Sequence, residues 1–313
     1  MLDGKCEFVE PRPASNQDLE LVHQSEYIKL VEQTCASGGG ILDLGDTVVS
    51  SKSYEAATFA VGALIDSVNM VADGRAKNAF GLVRPPGHHA GAYYALGFCL
   101  FNNVAVAATY LLHRRNIERV LILDIDAHHG NGTQEIFYNT KKVLYISVHE
   151  DPRGFPGTGF ADEVGESEGV GYTVNVPFPF RVTDEIYLRA FEEIVEPISC
   201  QFSPQFILVS AGFDGHYTDP VGMMALSIRS YEAVFGRIVS LATRLCNERL
   251  VASLEGGYSL NFLGKIATVA IAKMANASYA VRDKGPVPSP KTARKAEQTI
   301  NSVKNIQSSF WKL

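Results

Sequence analysis

Val120-Leu121-Ile122-Leu123-Asp124-Ile125-Asp126-Ala127-His128-His129-Gly130 is the stretch on which the reading of this chain turns. An apolar run leads directly into two carboxylates and two imidazoles, followed by Asn131-Gly132. A short, uninterrupted apolar run predicts a strand covered on both faces, as in a parallel sheet. Side chains alternate along a strand, so Asp126 and His128 at its carboxyl end share a face. A carboxylate oxygen beside an imidazole nitrogen is half of a site for a divalent ion such as zinc. The other half has to come from elsewhere in the chain.

Working outward, similar runs occur at Ala79–Val83, Val143–Val148, Phe206–Ser210 and Leu250–Leu254. Helical patterns separate them at Asn103–Leu112, Asp184–Val195 and Leu226–Leu245, the last with Ser227 or Ser230 as its cap. This alternation predicts an α/β fold, a central and mostly parallel sheet with helices on both faces. Ligands bind such sheets at the carboxyl ends of the strands. Four of the strands end in reactive residues: Arg84-Pro85-Pro86-Gly87-His88-His89, Asp124 to His128, Ala211-Gly212-Phe213-Asp214, and Glu255-Gly256-Gly257-Tyr258. A polar, proline-containing stretch from Arg282 to Pro290 reads as a linker to a terminal helix near Ala293–Ile306. The whole of 1–313 reads as a single domain.

Composition narrows the function. A chain of 313 residues that is 46% hydrophobic has ample material for one core. Its net charge of −6 argues against a broad electrostatic footprint for nucleic acid or anionic lipid. Cys6, Cys35, Cys99, Cys200 and Cys246 are scattered without a CxxC pair, which disfavours a disulfide framework or a cysteine zinc finger. Reduced thiols in a cytosolic protein are the expectation. No secretory leader is visible, and no uninterrupted apolar run reaches the ~18 residues of a membrane span. The expectation is therefore a soluble, cytoplasmic protein with neither nucleic acid nor membrane as a direct partner.

The segments RPPGHHA (84–90), GFCLFNN (97–103), DIDAHHGNGTQ (124–134), FPGTG (155–159), SAGFDGH (210–216) and EGGYS (255–259) occur in an order and spacing that resemble the zinc-dependent histone deacetylase superfamily. That group includes acetylpolyamine amidohydrolases and acetoin-utilisation proteins. The resemblance implies the arginase/deacetylase fold, with a sheet of about eight strands between helices. It implies one catalytic Zn²⁺ held by Asp126, His128 and Asp214. It implies His89 as general base and His88 as its electrostatic partner, oriented by Asp124, since a carboxylate on one ring nitrogen fixes the tautomer. Tyr258 would donate to the developing oxyanion. Some relatives carry histidine there and are poor acetyl-lysine hydrolases, so tyrosine favours a competent enzyme. Phe98 and Phe155 match the aromatic walls of an acyl-lysine tunnel, although they are two of 17 phenylalanines. Gly97 and Gly256 would line it, and Asp46 would match a rim aspartate that anchors substrate backbone. Structural K⁺ is implied at backbone oxygens of Asp124, Asp126, His128 and Ser147, and at an outer group of Phe137, Thr140, Val143 and Tyr172.

Several positions depart from the pattern. Asn131 stands where class I members have an aspartate beside the second histidine, as in class II and many prokaryotic members. It keeps a hydrogen bond and removes a charge, so protonated His89 is less stabilised. Val221 stands where a polyamine-selective relative has an acidic residue, although Glu150 and Asp151 could favour cationic substrates. The family's opening strand and helix are not found before Met1; either the chain begins late or that element is lost, and the cover of one sheet edge and an internal-channel arginine are left open. The expected activity is removal of acetyl or another short acyl group from lysine side chains in proteins. Acetylpolyamines, or another small acetylated amine, are the alternative substrate. A dimanganese ureohydrolase needs further carboxylates, but Asp214 is followed by Gly215-His216 and His128 by His129-Gly130. A non-catalytic acyl-lysine reader would have no use for the full set of His88, His89 and Tyr258.

Overall fold

The computed structural model describes residues 4–43 and 45–313. Its first third holds α1 (Asn16–Leu19), α2 (Ser25–Ala36), the short strands β1 (Gly39–Ile41) and β2 (Val48–Ser50), α3 (Ser53–Ala72) and β3 (Asn78–Gly81). Next come α4 (Asn103–Arg114), β4 (Val120–Asp124), α5 (Asn131–Phe137), β5 (Val143–Glu150) and β6 (Thr173–Phe178). The remainder is α6 (Asp184–Ala190), α7 (Glu196–Phe202), β7 (Phe206–Ala211), α8 (Ile228–Cys246), β8 (Leu250–Leu254), α9 (Leu263–Met274) and α10 (Pro290–Gln307).

The central sheet has six strands in the order β3-β8-β7-β4-β5-β6, and every pairing is parallel. The α/β class and the parallel sheet are as expected; the count of about eight strands is not. The strands β1 and β2 pair antiparallel with each other in a separate ribbon. Among the described residues β3 ends the sheet on one side.

Alternation along β4 sorts its side chains into two cores. Leu121 and Leu123 pack with Ile186, Ile194, Val234 and Ile238 of the helices on one face. Val120 and Ile122 pack with Leu64, Val68, Val104 and Leu111 of α3 and α4 on the other. All five residues of β4 are buried, which is why it reads as a continuous apolar run.

Some boundaries and elements differ from the sequence expectation. The first chemistry-bearing strand stops at Gly81 rather than Val83, ahead of Pro85-Pro86, which have no N–H to offer a ladder. The pattern over Asp184–Val195 is α6 followed by a π-helical turn at Phe191–Val195. Pro197 lacks the N–H that an α-helix would direct at the Glu193 carbonyl. Ser227 does precede α8, but its N–H and hydroxyl go to the Asp184 carboxylate, at 2.8 and 2.5 Å. The helix α3 has the length and composition of a membrane span, yet half of it is buried in the fold, where it packs on α4 and β3. Its polar residues interrupt the apolar run without giving it a strong period. All five cysteines are free thiols.

Candidate active site

The strand ends deliver three ligand-type side chains to one point. The N–H of Ile125 bonds the Ser210 carbonyl at 3.0 Å, so the chain leaving β4 follows the end of β7. That brings one ligand atom each from Asp126, His128 and Asp214 within 4.8 Å of one another. The Nδ1 of His128 lies 2.9 Å from Asp214 Oδ2 and 3.3 Å from Asp126 Oδ1. Backbone donors hold both carboxylates: Ala127 N–H on Asp214 at 2.9 Å, Gly256 N–H on Asp126 at 2.8 Å.

Electrostatics show what this trio lacks. Both carboxylates are essentially buried. Burial and the neighbouring Asp126 push Asp214 up to about 6. Burial acts on Asp126 too, but His88 and His128 hold it well below the usual carboxylate range. Despite burial, His128 is pushed up to about 11 by hydrogen bonds to Asp126 and Asp214. Two buried carboxylates and one imidazole facing them call for positive charge, and a divalent cation supplies it while leaving the imidazole neutral. The donor set, two carboxylates and one nitrogen, fits zinc with positions left for other ligands.

The two histidines beside the trio differ sharply. His88 Nδ1 lies 3.1 Å from Asp124 Oδ2, an oxygen that also accepts from the Tyr145 hydroxyl at 3.0 Å. Burial works against a charge on His88, but Asp126 and Asp124 outweigh it and push the ring up to about 10. His89 donates from Nδ1 to Asn131 Oδ1 at 2.8 Å, and its ring centroid is 3.9 Å from that of His88. Burial, then the charges of His88 and His128, hold it well below the ordinary histidine range. A neutral imidazole with Nδ1 committed keeps its Nε2 lone pair free.

A cavity of about 320 Å³ leads to these groups, and Gly97, Phe98, Phe155, Gly256, Tyr258 and Asp46 all line it. Phe98 meets Tyr258 edge-on at 5.8 Å, while Phe155 meets His89 at 5.0 Å and His128 at 5.9 Å. Phe98 sits in the left-handed region at φ 68°, a conformation that costs about 1–3 kcal/mol and survives only where surroundings impose it. Its N–H is held by the Thr47 hydroxyl at 3.1 Å. Burial, reinforced by Asp214 and Asp126, raises the Tyr258 hydroxyl well above its ordinary range, so it stays a donor. The Arg84 guanidinium lies over the Tyr258 ring at 5.4 Å.

Other residues at the site have contacts that their sequence does not reveal. Glu255 Oε2 accepts from the N–H groups of Gly87 at 2.6 Å and His88 at 3.2 Å, fixing the turn that carries both histidines. It forms a second buried group with His88 and Cys99, and burial pushes it up to about 7. Glu150 Oε1 lies 3.7 Å from His128 Nε2, and Oε2 accepts from Met223 N–H at 2.7 Å. Phe180 and Met223 line the cavity from loops without a motif. Of the positions assigned to potassium, Ser147 pairs in register with Asp124. Thr140 N–H bonds the Phe137 carbonyl, Tyr145 N–H bonds that of Tyr172, and Val143 opens β5. That outer group lies at the opposite ends of the strands from the trio.

Comparison with known proteins agrees with this architecture. Residues 1–274 match the family described as "Histone deacetylase domain". A "Probable deacetylase" of Archaeoglobus fulgidus is 41% identical, over 97% of this chain and 86% of that protein. "Histone deacetylase 15" of Arabidopsis thaliana is 41% identical over 98% of the chain, which spans 55% of the plant protein. A "Histone deacetylase-like amidohydrolase" of Pseudomonas aeruginosa is 39% identical over 90% of the chain and 74% of its own length. The crystal structure of the HDA15 HD domain superposes with a TM-score of 0.88 at 40% identity, covering 98% of this chain and 83% of that one. On its motifs, its sheet and these matches, the chain belongs to the histone deacetylase family.

Proposed function

We propose that this protein is a zinc-dependent amidohydrolase that removes acetyl or short acyl groups from lysine side chains. The observation that carries the reading is the convergence of Asp126, His128 and Asp214 within 4.8 Å at the foot of a cavity also lined by His88, His89 and Tyr258. Zinc held by the trio would supply Lewis acidity, polarising the acyl carbonyl and lowering the pKa of a water towards ~7.

The chain's own residues do the rest. Neutral His89 takes the proton from the attacking water at Nε2 and delivers it to the leaving amine. Asn131 keeps Nδ1 of that ring occupied, which fixes the tautomer the step requires. His88, charged and paired with Asp124, offsets the negative charge that builds as the water attacks. Tyr258 donates its hydroxyl to the oxygen of the carbonyl as it becomes an oxyanion. Phe98 and Phe155 exclude water from the methylene chain of the substrate. Asp46, which lines the same cavity, would accept from substrate amides.

Acetyl-lysine in proteins is the favoured substrate, because Val221 puts an apolar side chain in the cavity wall where acidic selection of a polyamine would act. Acetylated polyamine is the second reading, and Glu150 in the same wall favours it. Purified protein assayed on acetyl-lysine peptides and on acetylated polyamines, with zinc added or chelated, separates the two. Zinc-dependent turnover of peptides is expected, and Tyr258→Phe should lower kcat by about 10²–10³-fold. No zinc-dependent turnover of any acylated amine would sink the proposal.

A further inference from the structure

The turn that carries Tyr258 is held after its bend by Asp219, and a line of contacts beside that anchor reaches a residue outside the matched family span. Gly257 at φ +130° lets the chain bend but gives it no stiffness. After the bend, Asp219 Oδ2 accepts from the N–H groups of Tyr258 at 2.7 Å and Ser259 at 2.9 Å. From there a line of hydrogen bonds runs inward. Ser259 Oγ is 2.9 Å from Thr218 Oγ1, which is 2.9 Å from His216 Nδ1. His216 Nε2 is 2.8 Å from Asp283 Oδ2. The His216 side chain is 0% exposed and that of Asp283 4%. The His216 ring stacks on Phe262, with centroids 4.6 Å apart, and Asp283 also accepts from the N–H of Ile228 at the start of α8, at 3.1 Å.

The chemistry gives this line one direction. With Nε2–H donating to Asp283, Nδ1 is an acceptor, so the Thr218 hydroxyl donates to His216 and accepts from Ser259. Each hydroxyl proton then has one place to go, and the Ser259 backbone is held against rotation. A buried carboxylate is costly to keep unless its partners satisfy it. Asp283 is satisfied by His216 and Ile228, and the line ends at the neighbour of Tyr258.

We propose that Asp283 is a positioning residue: through His216, Thr218 and Ser259 it sets where the Tyr258 hydroxyl stands over the substrate carbonyl. Asp283 belongs to the segment that follows α9, past residue 274 where the family match ends. This inference rests on the reading of Tyr258 as the carbonyl's hydrogen-bond donor. The segment between α9 and α10 is then part of the working site.

The test uses the full zinc-loaded chain with Asp283→Ala, Asp283→Asn, Ser259→Ala and Tyr258→Phe. Asp283→Ala is expected to lower kcat about tenfold, as for a modest misplacement of a catalytic group, with KM and bound zinc unchanged. Asp283→Asn, which still accepts from His216, should recover most of that loss. In the Tyr258→Phe background Asp283→Ala should cost nothing further. Amide exchange over residues 256–260 should rise in Asp283→Ala. Ser259→Ala cuts the line at its other end and should repeat both effects, which covers the case in which Asp283→Ala does not fold. Equal loss of kcat in both backgrounds, or unchanged exchange over 256–260, would overturn the proposal. Full activity in Tyr258→Phe together with faster exchange would sink the role given to the tyrosine and leave the anchoring intact.

Discussion

Gly256 has no side chain because two carboxylates stand where one would be. A Cβ there would lie 2.6 Å from Asp214 Oδ2 and 2.7 Å from Asp126 Oδ2. Gly256→Ala is therefore expected to spread the trio and weaken the proposed zinc binding by about 10–100-fold, read by competition with a chelator while circular dichroism stays native. Asn131→Asp tests the histidine assignment from the other side. A full negative charge on Nδ1 of His89 favours the protonated ring, so its pKa rises. Since the proposed base acts when neutral, the acid limb of kcat/KM should move to higher pH. An unmoved limb would remove His89 from the base role. These residues were legible because each motif ends a strand. Glu255 was not assigned a role, although it adjoins the glycine pair, because a carboxylate that serves backbone N–H groups leaves no pattern in sequence.

At the scale of elements, His23 shows how a loop is tied to a helix. Its Nδ1 lies 3.0 Å from the Gly91 carbonyl, and its Nε2 accepts from the N–H of Asn102, the residue that caps α4, at 2.9 Å. Burial pushes this imidazole down to about 4 from its ordinary 6.5. The folded protein thus holds His23 neutral, while the unfolded chain binds a proton below 6.5. Stability from this group is complete above pH 6.5 and is lost as pH falls towards 4, by up to about 3 kcal/mol. Denaturant melts at stepped pH should show that slope, and His23→Gln should flatten it. The same scale explains what sequence could and could not disclose. β4, β5, β7 and β8 are buried along their whole length and read as apolar runs. β6 lies at the sheet edge, holds Asn175 and Pro177, and gave no such run. A proline is tolerated there because an edge strand has one side free of ladder bonds.

For the whole molecule, the C-terminal helix covers what the sheet leaves open. In α10, Ala296, Ile300 and Val303 are fully buried, and Gln307 donates to the Thr173 carbonyl of β6 at 3.2 Å. Beyond it Trp311 donates to the Gly171 carbonyl at 2.8 Å. Removing residues 290–313 should expose the β6 edge and promote self-association, which light scattering would detect. The helix was legible in sequence as one that could pack back on the domain; its service to an edge was not, because β6, with Asn175 and Pro177, gives no apolar run. The buried pair at the site has a consequence for the molecule as well. Asp126 and Asp214 repel each other, and without a metal ion protonated His128 offsets that repulsion only in part. Relieving it with Asp214→Asn should raise the melting temperature of the metal-free protein by about a few degrees while abolishing activity. On stability alone the pair of acids is then a liability, and the proposed metal is what would turn it into an asset.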